Sequence, residues 1–219
     1  MVESTSPVRP ARGAAVAIVS GLIAIVLCLA GGASIVALGN GPLPLDTAWF
    51  EFSNSTRTEP ILAVSLFLND AGAQVIVGVV VPVAVALLLA YRRRGWAALA
   101  VLFCGIASAP LVNAIKSVLE RPRPNHQLVD VTLSAYPSGH VANLTAVIVV
   151  IALIVGWRWL RVASVVLVAV MALSRTYLNV HWITDDLGAL LLGAGLALVV
   201  WGALAGRIRA ERPNQVPSS

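Results

Sequence analysis

The sequence has few charged residues, a single lysine and only two cysteines. Charged side chains make up 11% and hydrophobic side chains 58% of its 219 residues, whereas soluble domains carry about 25% charged residues. The basic residues form short clusters between apolar runs, so the formal charge of +5 indicates membrane topology rather than a nucleic-acid partner. Cys28 and Cys104 lie inside apolar runs and are interpreted as small hydrophobic residues, not as a disulfide or a metal pair.

Long uncharged runs indicate that lipid is the solvent of this chain. About 20 apolar residues span a bilayer as a helix, and only helices or closed barrels satisfy the backbone there. Five runs are long and continuous, at 13–45, 71–91, 95–115, 141–157 and 187–206. A shorter run at 162–173 becomes a further span if its helix continues past Arg175, with that side chain in a polar cavity.

The predicted fold class is therefore all-α, a polytopic membrane bundle of six transmembrane helices. Residues 13–206 form the membrane domain, and 1–12 and 207–219 are polar tails. Arg9 and Arg12 precede the first run, as basic residues do in a signal peptide. The run is longer, however, than the apolar region of a signal peptide, which has about 7–15 residues. We expect a retained helix there, and a kink of the second span at Pro82.

The distribution of basic residues predicts the orientation. With six spans and a cytoplasmic N-terminus, ten of the 15 basic residues fall in cytoplasmic segments, as the positive-inside rule requires. Both tails are then cytoplasmic, and the protein is an integral, multi-pass protein of the cell membrane. The basic residues left outside are Arg57, Lys116, Arg121, Arg123 and Arg175.

Three polar segments lie at the ends of predicted spans, at 116–124, 136–140 and 174–185. The end of the third span and the starts of the fourth and sixth face the same side in this arrangement. We therefore expect one site at the outer membrane–water boundary. The side chains that converge there are Lys116, Arg123, Ser138, His140, Arg175, His181 and Asp185.

The three cations among these residues predict a bound phosphate. Clustered cations in a partly dry site repel one another unless an anion lies between them. Arginine matches phosphate oxygens with a two-pronged donor, and lysine acts as a point charge. The Ser138 hydroxyl, the Gly139 amide and a helix N-terminus at His140 add neutral donors. The predicted phosphate-binding residues are Lys116, Arg123, Ser138, Gly139 and Arg175.

His181 and His140 are the predicted nucleophile and general acid–base of the reaction. His181 and Asp185 are four residues apart and share a face on a helix. An aspartate bonded to one imidazole nitrogen leaves the other free as a nucleophile. His140 then serves as general acid and later as base for water. Two histidines and an aspartate can also hold zinc, but the three cations argue against it, so we predict neither a metal nor a cofactor.

These segments resemble the type-2 phosphatidic acid phosphatase superfamily, which includes lipid phosphate phosphatases and bacterial phosphatidylglycerophosphate and undecaprenyl-diphosphate phosphatases. The family pattern is Lys, six residues, Arg-Pro; then Pro-Ser-Gly-His; then Ser-Arg, five residues, His, three residues, Asp. All three blocks occur in order, and the resemblance covers roughly residues 70–206. It implies a six-helix membrane fold and metal-independent hydrolysis. It also implies His181 as nucleophile, Asp185 as its helper, His140 as acid, and the phosphate-binding residues named above.

The favoured function is hydrolysis of a lipid phosphate or diphosphate, with undecaprenyl diphosphate as the favoured substrate and phosphatidylglycerophosphate or phosphatidic acid as alternatives. Transfer of the phosphoryl group to an acceptor other than water uses the same intermediate. A non-catalytic transporter or scaffold is the third interpretation, against which the complete motifs argue. The sequence determines neither the lipid nor the oligomeric state. Among the remaining polar residues, Glu120 and Arg121 are interpreted as loop structure, His126 as a solvated loop residue, and Asp186 as a helix cap or a supporting residue.

Overall fold

The computed structural model describes residues 12–72 and 75–211 of the chain, and this part is helical without a strand. Of the predicted tails at 1–12 and 207–219, residues 1–11 and 212–219 lie outside the described residues. The helices are α1 (Arg12–Ala37), α2 (Pro44–Ser55), α3 (Glu59–Ala71), α4 (Val81–Tyr91), α5 (Gly95–Leu119), α6 (Gly139–Val155), α7 (Arg158–Tyr177) and α8 (Ile183–Ala210), with a π-helical turn at Ile76–Val80 before α4.

Four of these helices, α1, α5, α7 and α8, are long and apolar enough to cross a bilayer. Helix α3 and the stretch Ile76–Tyr91 form a fifth candidate, bent by 50° where they meet, and α6 is apolar but has only 17 residues. Many large apolar side chains are exposed on the flanks of these helices, as expected for surfaces that face lipid. The protein is therefore an integral membrane protein, and the six-span count stays a prediction.

Helix α7 continues through Arg175 to Tyr177, so the short fifth run does extend as the sequence required for a span. Arg175 is buried with 1% of its surface exposed, and its head group lies in a polar cavity described below. At the other end of the chain, α8 continues through Arg207 and Arg209, which the predicted boundary placed in the C-terminal tail.

The segment between the first two predicted spans is more structured than a short outer loop. Helix α1 ends at Ala37, and the following residues fold into α2 and α3. Proline in the first turn starts both helices, since its fixed φ suits a position whose amide has no intrahelical acceptor. In α2 the Asp46 carboxylate also accepts a hydrogen bond from the Leu43 amide at 2.9 Å, which caps the helix start.

Pro82 lies in the first turn of α4, directly after the π-helical turn. Proline has no amide to donate and its ring clashes with the carbonyl four residues earlier, which a wider turn accommodates. The distortion expected at Pro82 is therefore found as a wider, π-helical turn at Ile76–Val80. In addition, the directions of α3 and of Ile76–Tyr91 differ by 50°.

Helix α8 lies at the centre of the bundle and packs against α1, α5, α6 and α7. Glycines bring its backbone close to two neighbours. A Cβ atom on Gly195 would lie 2.7 Å from the Gly21 carbonyl oxygen of α1, and one on Gly193 would lie 2.5 Å from the Ala142 carbonyl oxygen of α6. Small residues of this kind allow membrane helices to pack closely where apolar burial gives no advantage over lipid.

The ends of α5 and α7 and the starts of α6 and α8 lie together at one end of the bundle. The Ser138 amide, before α6, donates to the Asp185 carbonyl of α8 at 3.2 Å. On the same side, Trp49 of α2 donates from Nε1 to the Thr176 hydroxyl of α7 at 2.9 Å. This arrangement brings the three polar segments of the sequence to a single place.

Candidate active site

A cavity of about 250 Å³ opens at this end of the bundle. Six of the eight predicted site residues line it: Lys116, Arg123, Gly139, His140, Arg175 and His181. Ser138 is fully buried beside it, and Asp185 lies behind His181 with no exposed surface. A larger groove of about 500 Å³ between α6, α7 and α8 holds none of these eight residues, and its lining is mostly apolar, with Thr145, Arg161 and Ser164 as the polar members.

His181 lies in the turn between α7 and α8, not on a helix, so the expectation of a shared helical face with Asp185 is wrong in that detail. The two side chains meet because Asp185 occupies the first turn of α8 and points back. Its Oδ2 accepts from the Trp182 amide at 2.8 Å and lies 3.6 Å from His181 Nδ1. Asp185 therefore favours a proton on Nδ1.

The other nitrogen of His181 faces the cations. Its Nε2 lies 3.3 Å from Nη1 of Arg123, and a guanidinium can only donate, so Nε2 is the acceptor in this arrangement. Burial lowers the pKa of His181 well below its usual range, and the nearby charges of Arg123, Lys116 and Arg175 lower it further. At neutral pH the structure thus holds an uncharged imidazole whose unprotonated Nε2 lies on the cavity side, where it accepts from Arg123.

The three cations are held mainly by backbone and amide oxygens. Lys116, in the last turn of α5, donates from Nζ to the carbonyls of Ser134 and Ala135. Arg123 donates to the carbonyls of Leu133, Val180 and Ser134. Burial lowers the pKa of Arg123 to about 10, so its guanidinium remains charged at neutral pH.

Arg175 and His140 share one partner in α3. Nη1 of Arg175 donates to the Asn69 side-chain oxygen at 2.7 Å, and Nε2 of His140 lies 3.3 Å from the Asn69 carbonyl oxygen. Nε of Arg175 is buried without a hydrogen-bond partner among the described residues. An anion in the cavity would supply acceptors that these donors otherwise find only in part.

The start of α6 adds uncharged donors. Ser138 is the N-cap residue, and the first amides of a helix, here from Gly139 onward, have no acceptor within the helix. They form the kind of positive helix end at which phosphate binds. The Ser138 hydroxyl lies close to the buried Asp186 carboxylate, but neither makes a well-aligned hydrogen bond among the described residues.

A sequence model of the PAP2 superfamily matches residues 96–209. The chain belongs to the PAP2 superfamily. The match includes all eight predicted site residues and leaves out α1 to α4.

Other members of the PAP2 superfamily resemble this chain over much of its length. The decaprenylphosphoryl-5-phosphoribose phosphatase of Mycobacterium tuberculosis (strain ATCC 25618 / H37Rv) is 34% identical over 158 residues, which are 69% of this chain and 85% of that protein. Phosphatidylglycerophosphatase B of Bacillus subtilis (strain 168) is 30% identical over 122 residues, which are 51% of this chain and 60% of that protein.

The fold of this PAP2 chain is also seen in a solved structure. The crystal structure described as the first transmembrane PAP2 type phosphatidylglycerolphosphate phosphatase from Bacillus subtilis superposes with a TM-score of 0.74. The match covers 85% of this chain and 96% of that one at 24% sequence identity. The chain thus has the transmembrane PAP2 fold and is a phosphatase by family.

Besides Asn69, two further residues contact the PAP2 site and were not predicted as part of it. Arg121, interpreted from sequence as loop structure, is buried and pairs with Asp185. Asp46 of α2 pairs with the same guanidinium. An arginine two residues before Arg123 carries no signal of its own, and Asp46 is 75 residues away along the chain. Only the folded chain brings them together.

The donors around the PAP2 cavity do not form a metal site. Among the described residues, no three His, Cys, Asp or Glu side chains cluster closely enough to hold a metal ion. His181 and Asp185 instead neighbour Lys116, Arg123 and Arg175, whose charges would repel a divalent cation.

Proposed function

We propose that this chain hydrolyses the phosphate ester of a membrane lipid through a phosphohistidine at His181. One observation carries the proposal: Nε2 of His181 faces a cavity lined by Lys116, Arg123 and Arg175, while Asp185 lies behind Nδ1. A nucleophile and donors for a phosphoryl group thus line one cavity of about 250 Å³, and a carboxylate that favours the required tautomer lies directly behind the nucleophile.

In the first step, Nε2 of His181 attacks phosphorus and the bond from phosphorus to the lipid oxygen breaks. His140 donates a proton to that oxygen, so the lipid leaves as an alcohol. The proton on Nδ1 stays on the ring, which makes the phosphorylated imidazole a cation that faces Asp185. Arg123, Lys116, Arg175 and the first amides of α6 stabilise the charge on the phosphoryl oxygens.

In the second step, water attacks phosphorus and the nitrogen–phosphorus bond breaks. His140, now neutral, takes the proton from water as the oxygen–phosphorus bond forms. His181 returns to its uncharged state and inorganic phosphate leaves. No step requires a metal ion, because fixed cations surround the phosphoryl group on the cavity wall.

The substrate is a lipid phosphate of the kinds named for the relatives. They are decaprenylphosphoryl-5-phosphoribose for the protein that is 34% identical and phosphatidylglycerophosphate for the one that is 30% identical. In both of these lipids, the bond that breaks joins phosphorus to the oxygen of a hydroxyl-bearing group, whereas in a diphosphate it joins phosphorus to the oxygen of a second phosphate. Exposed Asp130 and Thr132 line the cavity wall, where a carboxylate suits hydroxyls better than a phosphate. We favour such a monoester over undecaprenyl diphosphate, which was the favoured substrate from the sequence and is kept here as the alternative.

The site is assigned to the extracytoplasmic face. Support comes from the clusters at the opposite ends of the helices, Arg92 to Arg94 and Arg207 with Arg209, which suit the cytoplasmic side. The substrate then approaches from the outer leaflet, and the phosphate leaves on that side.

Phosphate release by the purified protein tests the proposal. The assay contains EDTA and compares decaprenylphosphoryl-5-phosphoribose, phosphatidylglycerophosphate, phosphatidic acid and undecaprenyl diphosphate. His181→Asn is expected to abolish release. His126→Asn, the same change at an exposed histidine with a positive φ that asparagine tolerates, is expected to retain it.

The outcomes separate the alternatives. Release that persists in EDTA and disappears in His181→Asn supports the histidine mechanism, and the preferred lipid identifies the substrate. Release that EDTA abolishes contradicts it. Consumption of lipid without free phosphate indicates transfer to another acceptor.

A further inference from the structure

Behind the nucleophile lies a buried chain of charges that begins in α2. Asp46, Arg121 and Asp185 have side chains with no exposed surface. Nη2 of Arg121 donates to Asp46 Oδ2 at 2.7 Å, and Nη1 donates to Asp185 Oδ1 at 2.5 Å. The second oxygen of Asp185 lies 3.6 Å from His181 Nδ1. One guanidinium thus bridges two carboxylates, and the outer carboxylate is on a helix outside the matched family region.

The cluster is closely held. Thr184 donates to Asp46 from its amide at 3.0 Å and from its hydroxyl at 2.9 Å. Nη1 of Arg121 also lies 2.8 Å from the Thr184 hydroxyl, and Nη2 donates to the Gly41 carbonyl at 3.2 Å. A buried charge that is paired and hydrogen-bonded on several sides keeps a fixed position.

The charges in the cluster explain why two carboxylates are present. Arg121 and Asp185 alone would be a neutral pair, and such a pair would stabilise a positively charged imidazole only weakly. With Asp46 the sum is one negative charge. This charge matches the single positive charge that the imidazole gains when Nε2 bonds to phosphorus while Nδ1 keeps its proton. In a site shielded from water, such a match acts strongly.

We propose that Asp46 and Arg121 are positioning residues that orient Asp185 and leave one net negative charge behind His181 for the phosphohistidine state. The inference rests on the proposed function, since it concerns the nucleophile of that reaction. Neither residue lines the cavity, so neither is expected to contribute to substrate binding.

The first test is Asp46→Asn, which keeps the shape of the side chain and removes its charge. We expect kcat to fall about tenfold, the lower end of the range seen when the outer partners of metal-bound histidines are lost, while KM stays within about twofold. The acid limb of the pH profile is expected to move to lower pH, because the imidazolium loses support. The charged or titratable groups facing His181 are Asp185, Arg123, Lys116, Arg175 and His140, and the variant leaves all five in place.

Two further variants separate charge from structure. Asp46→Glu keeps the charge and should keep the acid limb where it is, even if kcat falls a few-fold. Asp46→Asn combined with Arg121→Gln removes one negative and one positive charge, so the sum returns to one negative charge. We expect this double variant to be more active than Asp46→Asn alone. Glu51→Gln is the matched control, an exposed carboxylate on the same helix, and should behave as wild type.

The results are read on folded protein, verified by size-exclusion chromatography and the melting temperature. An unchanged acid limb in Asp46→Asn, or a double variant no better than Asp46→Asn, overturns the inference. If Asp46→Asn does not fold, two other measurements decide. A shifted acid limb in Asp46→Glu overturns the inference, and so does a double variant that is no more active than Arg121→Gln alone. Failure of the proposed function appears separately, as full activity in His181→Asn.

Discussion

Arg123 combines three carbonyl contacts with one contact to His181, the proposed nucleophile. It donates to Leu133, Val180 and Ser134 and lies 3.3 Å from His181 Nε2. A planar group with five donors can hold such an arrangement, whereas an ammonium group is a single point. Arg123 therefore joins the 133–134 loop to the turn before α8 and also presents its charge to the cavity, where we propose that the phosphoryl group binds.

Arg123→Lys is expected to lower kcat/KM by about tenfold to a hundredfold, since charge-assisted hydrogen bonds contribute about 1.5–3 kcal/mol each. Steady-state kinetics with the preferred lipid measures the change. Arg57→Lys is the control, because Arg57 donates to the Tyr177 carbonyl at 2.9 Å but does not line the cavity. Equal losses in both variants would contradict a special role for Arg123.

The protonation of His181 sets a pH limit for the reaction. Burial and the neighbouring cations lower its pKa, so the uncharged, reactive form persists below the usual value of about 6.5. As the pH falls, kcat/KM should therefore decline only below about pH 6.5. The profile is measured by initial rates, with each sample re-assayed at neutral pH to show that the loss is reversible. An acid limb centred above 6.5 would contradict the described environment.

The site residues that could be predicted from the sequence lie in short motifs, whereas the others reach the site only through contacts in the folded chain. The eight site residues occur in three short blocks with fixed spacing, so one chain suffices to single them out. Asp46 and Asn69 reach the site from α2 and α3 without any such block, through contacts made only in the folded chain. Arg121 lay within a block but at a position that the pattern leaves free.

The start of α6 is supported by close packing of α8 on the preceding residues. Gly188 of α8 faces Tyr136, whose ring is buried and whose hydroxyl donates to the Cys28 carbonyl at 2.6 Å. A Cβ atom at Gly188 would lie 2.5 Å from Cε2 of that ring. This contact ties together α1, α8 and the two residues that lead into Ser138.

Gly188→Ala should lower the stability of the protein by about 1–3 kcal/mol, as overpacking of a filled core does. The melting temperature in detergent measures it. Gly206→Ala is the matched control on the same helix, where an added Cβ meets nothing within 4 Å. That change should leave the melting temperature unchanged or raise it slightly, because alanine favours a helix. Similar destabilisation by both changes would contradict the packing argument.

At the level of secondary-structure elements, the apolar runs of the sequence predicted where the long helices lie but not where they begin and end. Uncharged residues in 38–45 extended the first run beyond α1, since turn residues there carry no charge. Conversely, α7 is longer than its run because Arg175 lies on the helix with its head group in the cavity. Hydropathy records what faces lipid, so it misses helical turns that face a polar site and short helices such as α2.

For the whole molecule, orientation in the membrane can be tested with single cysteines. Asp130→Cys lies at the site end and Arg93→Cys at the opposite end, and both positions are exposed. A membrane-impermeant maleimide applied to intact cells should label Asp130→Cys, and should label Arg93→Cys only after lysis. The native Cys28 and Cys104 are fully buried and give little background. The reverse pattern would place the site in the cytoplasm.

The packing of α1 on α8 determines when the enzyme can first become active during its synthesis. This is the most extensive helix pair in the described chain, yet α1 is made early and α8 late. Until α8 leaves the ribosome, α1 lacks its main neighbour, and Asp185 together with the turn holding His181 has not been delivered. Completion of the bundle and arrival of His181, the proposed nucleophile, are thus one event. We therefore expect a chain that stops before this turn to carry lipid-facing helices but no phosphatase activity.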